Sequence, residues 1–360
     1  MLSLKKEEDC RYDLVSLGEI MLRFDPGDMR IRNARTFRVW EGGGEYNVAR
    51  GLASCFRMRT GVITAFADND LGRLAEELIR AGGTDTSLIK WFPYDGIGRS
   101  VRNGLNFVER GFGIRNASGT SDRANSASSL LSPDMLDSEL IFGKLGARWL
   151  HTGGIFAALS ENAAKTALKA VSDAKKYGSA VSFDMNYRPS LWKALPSREN
   201  EIKILRELVS NVDLLFAGEN DLIDRLGVDE PKRRKDGDGF FEELFDATVK
   251  KYPNIKIIAC TRRNVLTATK NDWSAMLYCD GKIYKSREYK SLEIYDRVGG
   301  GDAFAAGVIY GLTKLNDPQK ALEYGVAHGA LAMTTPGDNS FASLSEIEGL
   351  VSGGGYGVNR

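Results

Sequence analysis

Strand-like and helical segments alternate along most of this 360-residue chain, and that alternation constrains the fold more than any single motif. Residues 13–20 (DLVSLGEI) are an apolar run ending in Gly-Glu, as a buried strand requires. A helix is expected over 46–56, a strand over 60–66, and an amphipathic helix over 71–81 closed by Gly82 and Gly83. The rhythm returns with a strand at 147–151, a helix at 161–177 and strands at 180–184 and 212–216. A short helix from 219 and another at 240–251 follow, then strands at 255–261, 266–269, 274–279 and 282–285, and helices at 318–333 and 344–350. This order predicts an α/β fold, a mostly parallel sheet covered by helices. The length suits one large domain carrying a small appendage.

Two sections interrupt the rhythm. Residues 21–40 are polar and arginine-rich, and within 96–127 the stretch RSVRNGLNFVE has apolar residues at near-alternating positions. Both are expected as strands of a small lid whose apolar face covers a ligand or a partner subunit. Residues 1–12 and 352–360 read as loose termini, and 232–239 (KRRKDGDG) as a solvated surface loop.

Charge is balanced, with 49 Lys and Arg against 48 Asp and Glu, so neither a nucleic-acid nor a membrane partner is expected. No apolar run approaches membrane-spanning length, and the N-terminus lacks the apolar core of a signal peptide. The cysteines show no CxxC pairing, and Cys55, Cys260 and Cys279 lie in apolar segments as buried thiols. A cytoplasmic setting is the simplest reading. With only His151 and His328, and no Cys/His cluster, zinc is not expected.

The chemistry concentrates at 294–311, IYDRVGGGDAFAAGVIYG. Gly299, Gly300 and Gly301 run into Asp302 and then a small-residue helical stretch. A glycine turn opening a helix leaves N–H groups unpaired at the positive end of the helix dipole, which suits a phosphate. Asp302 beside such an anion is placed to take a proton from an attacking hydroxyl. Acidic residues favour first helical turns anyway, so this motif alone decides little; it matches neither a Walker A loop nor a dinucleotide fingerprint. In open α/β sheets, ligands sit beyond the carboxyl ends of the strands. Segments 42–47, 184–188, 218–221 and 299–302 all follow strands or extended chain, so they are expected to converge on one crevice.

GEIMLRF, EGGGEYNVA, ARWLHTGGI, SFDMNYRPSLW, ATKNDWSAMLY, DRVGGGDAFAAGVIYG and TTPGD, in that order, resemble the ribokinase-type (PfkB) carbohydrate kinases, and within them the 2-keto-3-deoxygluconate kinases. The resemblance implies a single ribokinase-like three-layer α/β/α domain over 1–360, with a β lid that pairs two copies. It implies ATP and Mg²⁺ as cofactors, with a monovalent cation as an optional third. Asp302 would be the general base, with Gly299, Gly300 and Gly301 as the anion hole and Arg188 beside them. The sugar would meet Gly42, Gly43, Gly44, Asn47, Arg102, Phe107, Asp184, Asn186, Arg188 and Asp302. The nucleotide would meet Asn186, Glu219, Thr261, Arg263, Thr267, Gly299, Gly301, His328 and Asn339, with Asp221 at the metal.

A sugar acid calls for arginine, whose planar fork matches a carboxylate. The lid offers Arg99, Arg102, Arg110 and Arg115, and the strand end Arg188; Arg102 and Arg188 are the favoured pair. Departures from the family pattern are local. Gly218 stands where such kinases carry asparagine near Mg²⁺, and Arg297 where threonine is common. Asn106, Ser121 and Asn125 replace Tyr, Tyr and His in the lid. The expected activity is transfer of the ATP γ-phosphate to the terminal hydroxyl of 2-keto-3-deoxygluconate or a similar acid. The alternatives are a neutral ketose or nucleoside kinase, and a non-catalytic sensor of the same fold.

Overall fold

The computed structural model describes residues 2–193, 198–232 and 238–354. The chain opens the body with β1 (Leu14–Leu17) and leaves at once for β2 (Met21–Asp25) and β3 (Arg38–Gly42). Helix Gly44–Ser54 brings it back to β4 (Thr60–Ile63). A side piece follows, with β5 (Ala65–Ala67) and β6 (Lys90–Phe92) flanking helix Asp70–Ala81. After β7 (Leu105–Glu109) and β8 (Ser118–Asp122), the body resumes with β9 (Trp149–Gly153), β10 (Ala180–Asp184), β11 (Leu214–Phe216) and β12 (Ile257–Thr267). Helices Glu161–Lys176, Arg198–Val209 and Asp238–Lys251 connect these four. β13 (Lys270–Cys279), β14 (Lys282–Lys285) and β15 (Tyr289–Glu293) form the far edge, and helices Gly300–Tyr310, Pro318–Ala332 and Leu344–Val351 close the fold.

The large sheet runs β4-β1-β9-β10-β11-β12-β13-β14, with β15 also paired to β13. From β4 to β12 every pairing is parallel, and the edge beyond β12 is antiparallel. Successive strand residues point to opposite faces. Val15, Leu150, Val181, Leu215 and Ile258 therefore pack with helices Glu161–Lys176, Arg198–Val209 and Asp238–Lys251. Their neighbours Leu14, Trp149, Ala180, Leu214 and Ile257 pack with helices Gly44–Ser54, Gly300–Tyr310 and Pro318–Ala332. Both faces are covered, which is why these strands read as unbroken apolar runs. The last two of those helices touch backbone to backbone, since a Cβ on Gly307 would lie 2.6 Å from the Tyr324 carbonyl oxygen.

The lid is a separate sheet, β3-β2-β7-β8, with β2 and β7 parallel and the outer pairs antiparallel. Only Leu105–Glu109 of the expected 99–109 strand is regular; Arg102 makes one isolated bridge to Ser126. Two of the expected edge strands merge into one long β12–β13 hairpin, whose β12 arm is exposed from Thr261 onward. Those residues leave the covered sheet, so no apolar alternation marks them. Helix Arg198–Val209 has no counterpart in the sequence reading; its apolar contacts with the core, Ile204, Leu205, Leu208 and Val209, all fall in its second half. Residues 233–237 of the expected surface loop, and the tail from 355, lie outside the described residues.

Residues 2–12 differ from a loose lead-in. Cys10 and Tyr12 are buried, as are the other three free cysteines. Arg148 Nε donates to the Lys5 carbonyl (2.9 Å) and Arg59 Nη1 to the Cys10 carbonyl (2.9 Å). The same two guanidiniums donate to Oδ1 of buried Asp13, at 3.2 and 3.1 Å. Burial pushes the Asp13 carboxyl up, but the arginine hydrogen bonds outweigh it and hold it below the usual range. Its contribution is therefore full at neutral pH and is lost as pH falls through that lowered value. Asp13→Ala should cost about 2–4 kcal/mol in denaturant unfolding at pH 7, since Arg148 stays buried without its partner. The gap to wild type should close toward pH 3; an equal gap at both pH values would refute this account.

Candidate active site

Helix Asp70–Ala81 is capped by the Asn69 side chain, Glu161–Lys176 by Ser160, and Pro318–Ala332 by Asp317. Helices Gly44–Ser54 and Gly300–Tyr310 have no side-chain cap; glycines precede them and their N-termini face one crevice. Free N–H groups at two converging helix ends make an electropositive floor. Gly299 turns in with φ +81°, where a Cβ would sit 1.8 Å from the Asp338 carbonyl oxygen, so only glycine fits.

The crevice has two lobes at the carboxyl ends of the parallel strands. One, of about 640 Å³, lies under the lid, lined by Gly43, Gly44, Asn47, Asn106, Arg123 and Asp302 among others. The other, of about 540 Å³, opens between the ends of β10, β11 and β12, where Tyr187, Gly218, Asp221 and Thr261 line it. Asp184, Asn186, Arg188 and Gly301 line both. The glycine turn thus stands at the junction of two cavities, where a group could pass from one ligand to another.

Asp302 sits in the first turn of its helix. Its Oδ2 accepts from Asn47 Nδ2 at 2.7 Å, and Asn47 Oδ1 accepts the Gly43 N–H at 3.2 Å. The two uncapped helices are therefore linked through the Asp302 side chain. Burial pushes its carboxyl up to about 6, against the opposing hydrogen bond from Asn47. Asp184 rises further, to about 8, through burial and the nearby Asp302 charge, while Asn186 N–H donates to its Oδ1 at 3.0 Å. Asp221 is raised by burial and accepts the Gly218 N–H at 3.0 Å. Two half-buried carboxyls, Asp184 and Asp221, thus face one lobe, each with its proton affinity raised. Among the described residues no three acidic, histidine or cysteine side chains are grouped to hold a metal ion. A divalent cation here would need phosphate oxygens as well.

Several expected site residues lie elsewhere. β7 alternates, so Asn106 and Val108 face the crevice while Phe107 points away and stacks on Phe24 at 4.9 Å. Arg102 also turns away, donating to the Ala124 carbonyl at 2.8 Å and pairing with Asp122. Thr267 is at the far tip of β12, lining a separate hollow with Phe112 and Tyr295. His328 is fully buried, its Nδ1 2.8 Å from the Ala303 carbonyl oxygen and its ring edge-on to Phe56. Asn339 is buried under the lid strand, donating to the Glu41 carbonyl at 2.8 Å. Glu219 follows Gly218 beside the second lobe, partly buried. Gly42 is held against Asp338, below the lid lobe.

Arg123 and Arg297 are the gains. Both line the lid lobe with Arg188 and Arg263. Arg123 pairs with buried Glu19, and its Nε has no partner. Asn106 and Ser121, which stand where tyrosines were expected, form a hydrogen-bonded pair (2.9 Å) on the same wall. The period-2 pattern of β7, extended across the pairing to β8, is the signal that could have found this face.

Similarity to known proteins covers nearly the whole chain. A 2-dehydro-3-deoxygalactonokinase from Haloferax volcanii is 28% identical, over 97% of this chain and 99% of its own. A 2-dehydro-3-deoxygluconokinase from Thermoproteus tenax is 29% identical, over 96% of each. The crystal structure of a 2-dehydro-3-deoxygluconokinase from Thermotoga maritima superposes with a TM-score of 0.86 at 34% identity, covering 94% of this chain and 99% of that one. The pattern of the pfkB family carbohydrate kinases matches residues 11–344, and the chain belongs to that family.

Proposed function

We propose that this carbohydrate kinase transfers the γ-phosphate of ATP to the terminal hydroxyl of 2-keto-3-deoxygluconate or a closely similar sugar acid. The observation that carries the reading is Asp302 in the lid lobe, next to Gly301 where the two lobes meet, in the first turn of an uncapped helix and in a lobe lined by four arginines. In the proposed reaction the sugar lies under the lid and the triphosphate in the other lobe. Asp302 accepts the proton of the attacking hydroxyl while Asn47 fixes its orientation. The N–H groups after Gly299 and the Arg188 guanidinium receive the charge on the transferring group, at a site already organised for it. Asp221, with Asp184 beside it, would hold Mg²⁺, which supplies charge neutralisation on the phosphates when bound. The names of the relatives above, all keto-deoxy sugar acid kinases, support the substrate class.

A base held near 6 must be ionised to work. At saturating MgATP, kcat/KM for the sugar should fall tenfold per pH unit below about pH 6 and be flat just above it, as read by coupled ADP release. Asp302→Asn should lower kcat by ~10²–10⁴-fold. It should hold or raise the Tm, because the ionised form is the one that burial penalises. Near-normal turnover by Asp302→Asn would sink the base assignment. A sugar panel tests the substrate. Arg123→Ala should cut kcat/KM for the keto-deoxy acid by ~10–10²-fold, the worth of a charge-assisted hydrogen bond, and leave neutral ketoses nearly unchanged. An equal loss on acid and neutral sugars would count against carboxylate recognition by Arg123.

A further inference from the structure

Arg23 on lid strand β2 is fully buried and points into the body. Its Nη2 donates to Asp296 Oδ2 at 2.5 Å and its Nη1 to Asp338 Oδ1, both carboxylates being buried. Both lie against the anion-binding turn. Asp296 Oδ1 accepts the Val298 N–H at 3.2 Å, one residue before Gly299. Asp338 supplies the carbonyl oxygen that Gly299 passes so closely, and its side chain lines the lid lobe. One guanidinium thus joins the lid, the segment entering the glycine turn and the loop on which that turn rests.

The family resemblance brings a monovalent cation as an optional cofactor. The buried carboxylates against this turn are Asp296 and Asp338, and both already face a fixed guanidinium. A bound cation would have to displace a buried, charge-assisted fork, and the site does not fit one. We infer that Arg23 is a positioning residue, a built-in cation that holds the anion-binding turn in its working shape and makes a bound monovalent cation unnecessary. The inference rests on the proposed kinase reaction only through its activity readout.

The first test uses the wild-type protein in KCl, NaCl or choline chloride at matched ionic strength. Turnover and Tm should both be the same in all three salts. A ligand that binds the folded state raises Tm. A Tm or a turnover that rises specifically with K⁺ or Na⁺ would overturn the inference. Absence of sugar phosphorylation in every salt would instead refute the proposed function, and the Tm comparison would still decide this point. The second test is Arg23→Gly with and without added guanidinium chloride below denaturing concentrations. Displacing the turn should lower kcat by ~10²-fold with little change in sugar KM. Guanidinium, and not choline, should restore part of the loss. A lower Tm with unchanged kcat and no guanidinium response would mean that Arg23 only stabilises the fold. If Arg23→Gly does not fold, Arg23→Lys takes its place, with the same kcat loss expected because an ammonium does not span two carboxylates.

Discussion

A helix end with no cap is a cost unless a ligand comes to it, and two such ends meet in this protein. Helices Gly44–Ser54 and Gly300–Tyr310 lie on the same face of the sheet and present bare backbone to the same space. Much of the surrounding structure follows from keeping that space open and correctly shaped. Parallel strands supply the rigid edge from which the helices start. Glycines at the contact between helices Gly300–Tyr310 and Pro318–Ala332 let the former sit deep, which fixes where its N-terminus points. The lid is needed because a floor of unpaired N–H groups in open water would bind little selectively.

Charge is placed in layers around that floor. Nearest are the carboxylates, Asp302 and Asp184, pushed up by burial to about 6 and about 8. Around them Arg188, Arg263 and Arg297 line the crevice, and Arg123 lines it while paired with Glu19. Arg263 is held below its usual range by partial desolvation and by the like charge of Arg297, so an anion arriving between the two would relieve their repulsion. Behind the floor, the Arg23 guanidinium bridges two buried carboxylates and is closed to solvent. Arginine side chains thus line the cavity, and the Arg23 bridge lies behind it.

The parallel body was legible because its strands are buried on both faces and its helices carry clear periodicity. The glycine turn was legible as the opening of a helix because three glycines precede a small-residue helical stretch, whereas a role for Asp302 came from the ordered set of motifs that carry the family resemblance. The lid was legible as extended chain but not in its facing. A one-residue difference in phase separates Asn106 from Phe107, and only the pairing with β2 and β8 fixes which one sees the cavity. Arg102 was favoured in sequence and Arg123 was not considered, because the bridge that turns Arg102 outward involves Ser126, 24 positions on. His328 and Asn339 were placed by analogy of position. Their burial depends on how helix Pro318–Ala332 and the 337–340 segment pack, which no local pattern encodes.

The raised Asp184 carboxyl has a thermodynamic corollary for ligand binding. Pushed up to about 8, this group carries a proton at neutral pH until a cation approaches it. A cation brought to it favours the ionised form, so the proton leaves as the cation arrives. Association with a metal-bound nucleotide is then an exchange of ions rather than a simple addition. Its heat would include the ionisation enthalpy of whatever buffer takes up the proton, and its affinity would tighten as the solution is made more alkaline.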